Sequence, residues 1–264
     1  MMYRIWNAYL VELYKAIRMW FTWVGPSLVV AAVLATMLQS PIQRDDLSDY
    51  RFIFDATTIA LDMLGLFVIL IFASGLIASE VSQGTIRTVL VKPLRRTEFL
   101  IANFLLGVTF AVLVLVLAGC ASWGLALAFG EVHGVEYGGE MLYSGAAMAG
   151  TYLAAAAFAF FPFLALVAYA LFISTLNRSH AAAIGWAIGL WLLLDMVKYP
   201  LGIQAFVFTT YLETWQVFAQ RADGFPDLGW LPSQPFWTFF VPAVWTIAFV
   251  AAAAGVLQRR SLRG

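Results

Sequence analysis

The sequence predicts an all-α integral membrane protein. It would have six transmembrane helices, an interfacial helix ahead of the first, a short cytoplasmic helix between the second and third, and an outer-face helical element between the fifth and sixth. Three observations predict this. Of 264 residues, 62% are hydrophobic and 11% charged, with a mean hydropathy of +0.86, whereas a soluble domain is roughly 45–50% apolar and about 25% charged. Six runs reach the ~20 mostly apolar residues that a crossing needs. The charges, which sum to zero overall, are segregated between the two sets of connections.

The first eighteen residues read as a helix lying flat on the membrane. At about 100° per residue, Ile5, Trp6, Tyr9, Leu10, Leu13, Tyr14, Ile17 and Trp20 share one half of the wheel. Arg4, Asn7, Glu12, Lys15 and Arg18 share the other, with Val11 as the exception. An apolar face rimmed by aromatics opposite a basic face is the pattern of an interfacial helix. The alternative, a helical extension of the first span, would draw these charges into lipid. A cleaved signal peptide needs a short basic start followed directly by an apolar stretch. Here the long apolar run starts only at Trp20, so the N-terminus is expected to be retained.

The six spans are expected at 20–39, 57–79, 99–129, 143–176, 180–199 and 236–257. The third and fourth exceed one bilayer thickness and are expected to tilt or protrude, and Pro162 is expected to kink the fourth. The N-terminal segment, 80–98, 177–180 and the C-terminal tail hold eleven basic residues and three acidic ones, a net of +8. The opposite connections hold four basic and eleven acidic, a net of −7. Basic residues mark the cytoplasmic side, so both ends are expected in the cytoplasm. Residues 201–219 are aromatic-rich, but a seventh crossing there would bury Glu213 and export the basic tail. They are expected to rest in the outer interface through Phe206, Phe208, Tyr211, Trp215 and Phe218, helical or re-entrant. Asp195 and Lys198 are expected to form an ordinary surface pair. Cys120, the only cysteine, is read as a small buried hydrophobe with no role. The triplet Asn177-Arg178-Ser179 matches a glycosylation acceptor but falls in a connection assigned to the cytoplasm.

Residues 79–99, SEVSQGTIRTVLVKPLRRTEF, interrupt two oily runs. Driving Arg87, Lys92, Arg95 and Arg96 across a bilayer would cost on the order of 10 kcal/mol, so the segment is a cytoplasmic hairpin connection. Gly84 suits the residue just past a helix end. Thr85 can cap a short helix over IRTVLV, which Pro93 ends. Thr97 is expected to cap the third span, with Glu98 in its first turn. The short helix would present Ile86, Val89 and Leu90 on one side and Arg87 on another, and exposed apolar groups there invite a protein partner.

The pattern of Glu80, Gly84-Thr85, Arg87, Leu90, Pro93 and Arg95-Arg96 after a second span resembles the permeases of ABC-2 type ABC transporters. In that family this element is the coupling helix, which docks on the ATPase subunit, and a flat N-terminal helix is the elbow helix. The resemblance covers the whole chain, and its specificity rests on 80–98. The family's usual Lys after the second basic pair is here Asn103. The resemblance implies that Glu80, Gly84, Thr85, Ile86, Arg87, Val89, Leu90, Pro93, Arg95 and Arg96 bind an ABC ATPase, in two copies per complex. It also implies a second permease protomer, identical or related, in the cell's inner (cytoplasmic) membrane.

The chain contains no Gly-Lys pair and hence no G-x-x-x-x-G-K-[ST] phosphate loop. ATP and Mg are therefore expected on the partner chain, with no cofactor, metal or catalytic residue on this one. No nucleic-acid partner is expected. The resemblance further implies an exporter of an amphipathic, lipid-like, peptide or antibiotic cargo, with spans two and five facing each other across the dimer. On span two, Asp62, Met63, Phe67 and Leu70 are the candidates for that path. On span five they are Gly185, Trp186, Gly189 and Trp191. Ala181, Gly185 and Gly189 form a small-residue row of the kind that lets helices approach closely, although chance is a fair rival in a chain rich in Gly and Ala. Asp62 keeps two readings. It is either a functional intramembrane acid or an outer-leaflet group reaching water or Arg51. An intramembrane enzyme finds no support, since His133 and His180 are the only histidines and neither belongs to an H-E-x-x-H pattern. The competing class is a non-transporting membrane anchor or sensor that binds a cytoplasmic ATPase.

Overall fold

The computed structural model describes residues 2–39, 42, 49–82, 95–137, 140–224 and 234–259, with the side chains of Met63, Tyr137 and Gln234 outside that description. The described residues are mostly helical: α1 (Met2–Arg18), α2 (Phe21–Thr36), α3 (Tyr50–Ile59), a π-helical turn (Ala60–Gly65) and α4 (Leu66–Ser82) come first. Then follow α5 (Arg96–Phe129), strands β1 (Val135–Tyr137) and β2 (Glu140–Tyr143), α6 (Gly145–Leu176) and α7 (His180–Val197). Two 3-10 turns (Gln204–Phe206 and Phe208–Glu213), α8 (Thr214–Ala219) and α9 (Gln234–Arg259) complete it.

Among the described residues, five helices are long and apolar enough to cross a membrane. The count is six if α1 and α2, bent by 66° at their junction, form one broken span. The protein is therefore membrane-embedded. Helices α3 and α4 run together as one 33-residue span through the π-turn. This span begins at Tyr50, seven residues before the expected start. The extra turns carry Arg51 and Asp55, and the chain can remain helical there because Arg51 pairs with Asp55 at 3.8 Å and with Asp223 at 3.2 Å.

We call the end of the bundle holding the last turn of α4 and the first of α5 the near end, and the opposite one the far end. Helix α5 starts at Arg96, earlier than expected. The residue before it, Arg95, is its N-cap in place of Thr97, and the Arg95 backbone N–H donates to Glu98 Oε2 at 2.9 Å. That carboxylate also sits at the positive end of the helix dipole. The far-end hairpin, with Val135 opposite Tyr143 and Tyr137 opposite Glu140, was not legible in the sequence. Ser144 then caps α6 by accepting the Ala147 N–H at 3.2 Å. Helix α6 runs unbroken through Pro162 for 32 residues.

Helix packing uses glycine where backbones meet. A Cβ on Gly107 of α5 would lie 2.6 Å from Val167 of α6, and one on Gly25 of α2 would lie 2.7 Å from Val68 of α4. Either position therefore admits only a hydrogen without displacing its neighbour. Helices α4 and α6 are further joined by Ser174 Oγ, which accepts the Ile77 and Ala78 amides at 3.2 and 2.9 Å.

The connection after α7 departs most from expectation. Phe208 and Trp215 are fully buried, and Tyr211 and Phe218 nearly so; only Phe206 is exposed. Helix α7 is short, ~27 Å against ~48 Å for α6 at 1.5 Å per residue. The chain leaving α7 can therefore fold back along α6 from Tyr169 to Thr151, between α3 and α9, and it does so with its aromatics inward. Phe208 packs on Tyr169, Trp245 and Phe249. Cys120, expected to be buried, faces outward from α5; hydropathy does not separate a lipid-facing position from a core one.

Candidate functional site

At the near end, α1 is bound to the bundle by charge. Lys15 Nζ lies 2.7 Å from Glu12 Oε1 and 2.6 Å from Glu80 Oε1. Glu12 and Glu80 are buried and Ala8 and Ala16 beside them are closely packed, while Trp6, Leu10, Tyr14 and Ile17 are exposed. This corrects the wheel. Its polar half contains Glu12, which is buried against the bundle, and Lys15, whose half-exposed side chain reaches across to Glu80. Arg4 and Arg18 remain exposed. The contact is completed by Tyr9, whose hydroxyl lies 2.9 Å from Thr109 Oγ1. Thr109 donates its own proton to the Leu105 carbonyl at 2.9 Å, so Tyr9 is the donor.

Of the residues expected to meet an ATPase, Glu80 lies in the last turn of α4 with its carboxylate against Lys15 rather than in solvent. Arg95 precedes α5. Arg96 donates to the Leu257 and Gln258 carbonyls of α9 at 2.6 and 3.1 Å. This satisfies carbonyls that the end of a helix leaves free. Gly84, Thr85, Ile86, Arg87, Val89, Leu90 and Pro93 lie outside the described residues. Asn103, where the family usually has Lys, is buried and donates to the Phe99 carbonyl at 3.0 Å within its own helix.

The expected path residues are not all brought together. Phe67 and Trp191 meet edge to face at 5.7 Å between ring centres, joining α4 to α7. Leu70 is fully buried in the core, and Trp186 points outward, 58% exposed. Gly185 and Gly189 face open space. Together with Trp186, Leu193 and Met196 they form an apolar face of α7 that this chain leaves uncovered. Asp62 sits in the π-turn, a geometry frequent at functional sites. Its Oδ2 accepts from Gln216 Nε2 at 3.2 Å. The partner is thus α8 and not Arg51, which is held by Asp55 and Asp223.

Two polar clusters escaped the sequence. Lys198, expected at the surface, is fully buried, 2.6 Å from Asp195 and 3.1 Å from Glu213. The signal was present in Glu213, an acid too costly for an apolar stretch, which needed a cation. The other cluster lies on the inner sides of α3, α5 and α6, where Tyr152 and Thr57 hydroxyls lie 3.0 Å apart and Thr57 donates to Ser122 at 3.0 Å. Nothing in hydropathy marks these hydroxyls as mutual partners. Burial holds the Tyr211 phenol above its ordinary pKa; it stays a proton donor, to the Ala205 carbonyl at 2.7 Å, and fixes the 3-10 turn.

Near-end charges link α1 to α4 and α5 to α9, on the two flanks of residues 83–94. A family model described as a protein of unknown function, DUF2705, matches residues 15–254. The chain is also 26% identical over 212 residues to the uncharacterized protein YhcI of Bacillus subtilis (strain 168), an alignment covering 76% of this chain and 65% of YhcI. The chain therefore spans just under two thirds of the length of that curated relative. With nearly its whole length matched by the family model, the chain belongs to the DUF2705 family.

Proposed function

We propose that the chain is the membrane-spanning permease subunit of an ATP-driven transporter of the ABC-2 type. It works as a dimer with two separate ATPase subunits and exports an amphipathic cargo. Both termini and residues 80–98 face the cytoplasm, and ATP and Mg are held by the partner. The six-span count takes α1 as an elbow on the inner face and α2 as the first crossing.

One observation carries this reading. A basic, proline-ended segment joins two long apolar helices, and both of its flanks are fastened to other parts of the bundle. Through Glu80 and Lys15 a push on the segment reaches α1. Through Arg96 it reaches the end of α9. A plain loop needs neither fastening, whereas a mechanical input does. The uncovered apolar face of α7 supports a second protomer, since patches of this kind mark interfaces with protein or lipid.

The test is co-purification with an ABC ATPase subunit of the same organism co-expressed with this chain. Wild-type chain is expected to hold the ATPase through detergent extraction, and Leu90→Asp, which places a charge on the expected docking face, is expected to lose it. Glu80→Arg is a poorer probe, because it would set a cation beside Lys15 and disturb α1 directly. Undiminished ATPase retention by both Leu90→Asp and an Arg87→Glu variant would contradict the reading.

A further inference from the structure

A cavity of about 490 Å³ lies between α1, α2 and α5, with Phe72 of α4 at its back. Its size falls within the roughly 300–1,000 Å³ of ordinary ligand pockets. The deep wall is buried: Ala16, Pro26, Leu106 and Phe110. The outer rim is exposed: Ile17, Trp23, Ser27 and Leu113. The cavity is thus a crevice between α1, α2 and α5 whose mouth is exposed on the side of the helix bundle.

We propose that this crevice binds one acyl chain of an anionic phospholipid, drawn from the leaflet beside α1. The lining chemistry selects hydrocarbon. Its three hydroxyls are all spent on backbone carbonyls: Thr22 on Ala16 at 2.6 Å, Ser27 on Trp23 at 2.8 Å and Thr109 on Leu105 at 2.9 Å. The remaining walls are apolar, so no donor is left to orient a polar ligand, and a dry apolar cavity gives water nothing to bind. In a bilayer the abundant occupant of that chemistry and size is a lipid tail.

The headgroup sign follows from charge. Lys15 is taken up by Glu12 and by Glu80 of α4, so Arg4, Lys15 and Arg18 against these two acids leave a local net of +1, presented by the exposed Arg4 and Arg18. Arg18 is exposed and lies 4.4 Å over the Tyr14 ring at the outer edge of α1, one residue beyond Ile17 of the rim. Basic residues next to membrane-inserted elements attract anionic headgroups, and Trp23 at the mouth suits the interfacial depth at which tryptophan settles. The mouth itself is fixed: Trp23 Nε1 donates to the Ile17 carbonyl at 2.8 Å across the α1–α2 bend. A tail seated there fills the angle between α1 and the first crossing and resists its closure. This holds whether or not an ATPase partner exists.

The test reconstitutes the full chain in phosphatidylcholine nanodiscs doped with a phosphatidylglycerol that bears a photoreactive diazirine in mid-chain. After illumination, the adducts are mapped by peptide mass spectrometry. Adducts should concentrate on peptides spanning Thr22–Val30 and Leu106–Leu117. Ser27→Trp fills the mouth from an already exposed position and leaves the buried wall alone. It should cut those adducts about tenfold, the loss produced by a 1.4 kcal/mol weakening, while adducts on Leu190–Met196 of α7 stay constant. Adducts spread over α7 and α9 as densely as over the crevice, or unchanged in both Ser27→Trp and Val30→Trp, would overturn the proposal. Equal yields from the same diazirine chain on phosphatidylcholine would overturn the anionic assignment.

Discussion

Trp215→Ala is expected to cost about 3–5 kcal/mol, the largest single loss in this chain. The indole is fully buried. It stands 5.2 Å from the Tyr152 ring and 6.4 Å from Phe54, at the meeting of α8, α6 and α3. Tyr152 continues the cluster to Trp123, which packs on Tyr50. Removing Trp215 leaves a cavity among rings already held by the Thr57–Ser122–Tyr152 hydrogen bonds. The hole cannot collapse cheaply, and the folded-back connection loses its deepest anchor. Trp215 Nε1 has no hydrogen-bond partner among the described residues, so the cost lies in packing. Trp215→Phe should accordingly recover most of the loss. Denaturant midpoints in mixed detergent, followed by circular dichroism, check both variants. A near-neutral alanine variant would remove the connection from the core.

Lys198→Met is the second large effect, about 2–3 kcal/mol of destabilisation. The substitution keeps the stem and deletes the charge between Asp195 and Glu213. Removing one partner of a fully buried pair costs ~3–5 kcal/mol. Here the two carboxylates are 29% and 42% exposed, so water can partly replace the lost cation and the smaller value applies. Adding Asp195→Asn and Glu213→Gln should restore more than half of the loss, because the uncompensated acids are then gone. Additive destabilisation across the three changes would show that the Lys198 charge is not coupled to Asp195 and Glu213.

The long apolar helices were legible because their composition has no other use: oil on every side of a helix needs either lipid or a large core. Helix boundaries moved where charges found partners, as at Arg51 and Asp55. The wheel of α1 found the lipid side, but a wheel knows only polarity. It could not see that Lys15, paired with Glu12, also meets Glu80, 65 residues away. The same limit hid Lys198. A lysine beside an aspartate on one helix reads as a surface pair until the chain folds Glu213 back over it. The aromatic connection was read as resting on the membrane because burial inside protein and burial in lipid have the same sequence signature. Of the expected path, Phe67 and Trp191 meet ring to ring while Trp186 points outward, and the π-turn that holds Asp62 leaves no mark in composition.

Glu80 also carries a lesson for function. It belongs to the motif that resembles a docking element, yet its carboxylate holds α1. If residues 83–94 receive force, Glu80 and Arg96 are fitted to pass it on and the residues between them to receive it. That division of labour separates variants that weaken docking from variants that uncouple it.

The most direct measurement of the proposal is side-specific labelling at position 87. In a Cys120→Ser background, Arg87→Cys should ignore a membrane-impermeant maleimide added to intact cells and react once the inner face is opened, with protection when the ATPase is co-expressed. Full reaction in intact cells would put the basic segment on the outside, beyond the reach of any ATP-driven partner.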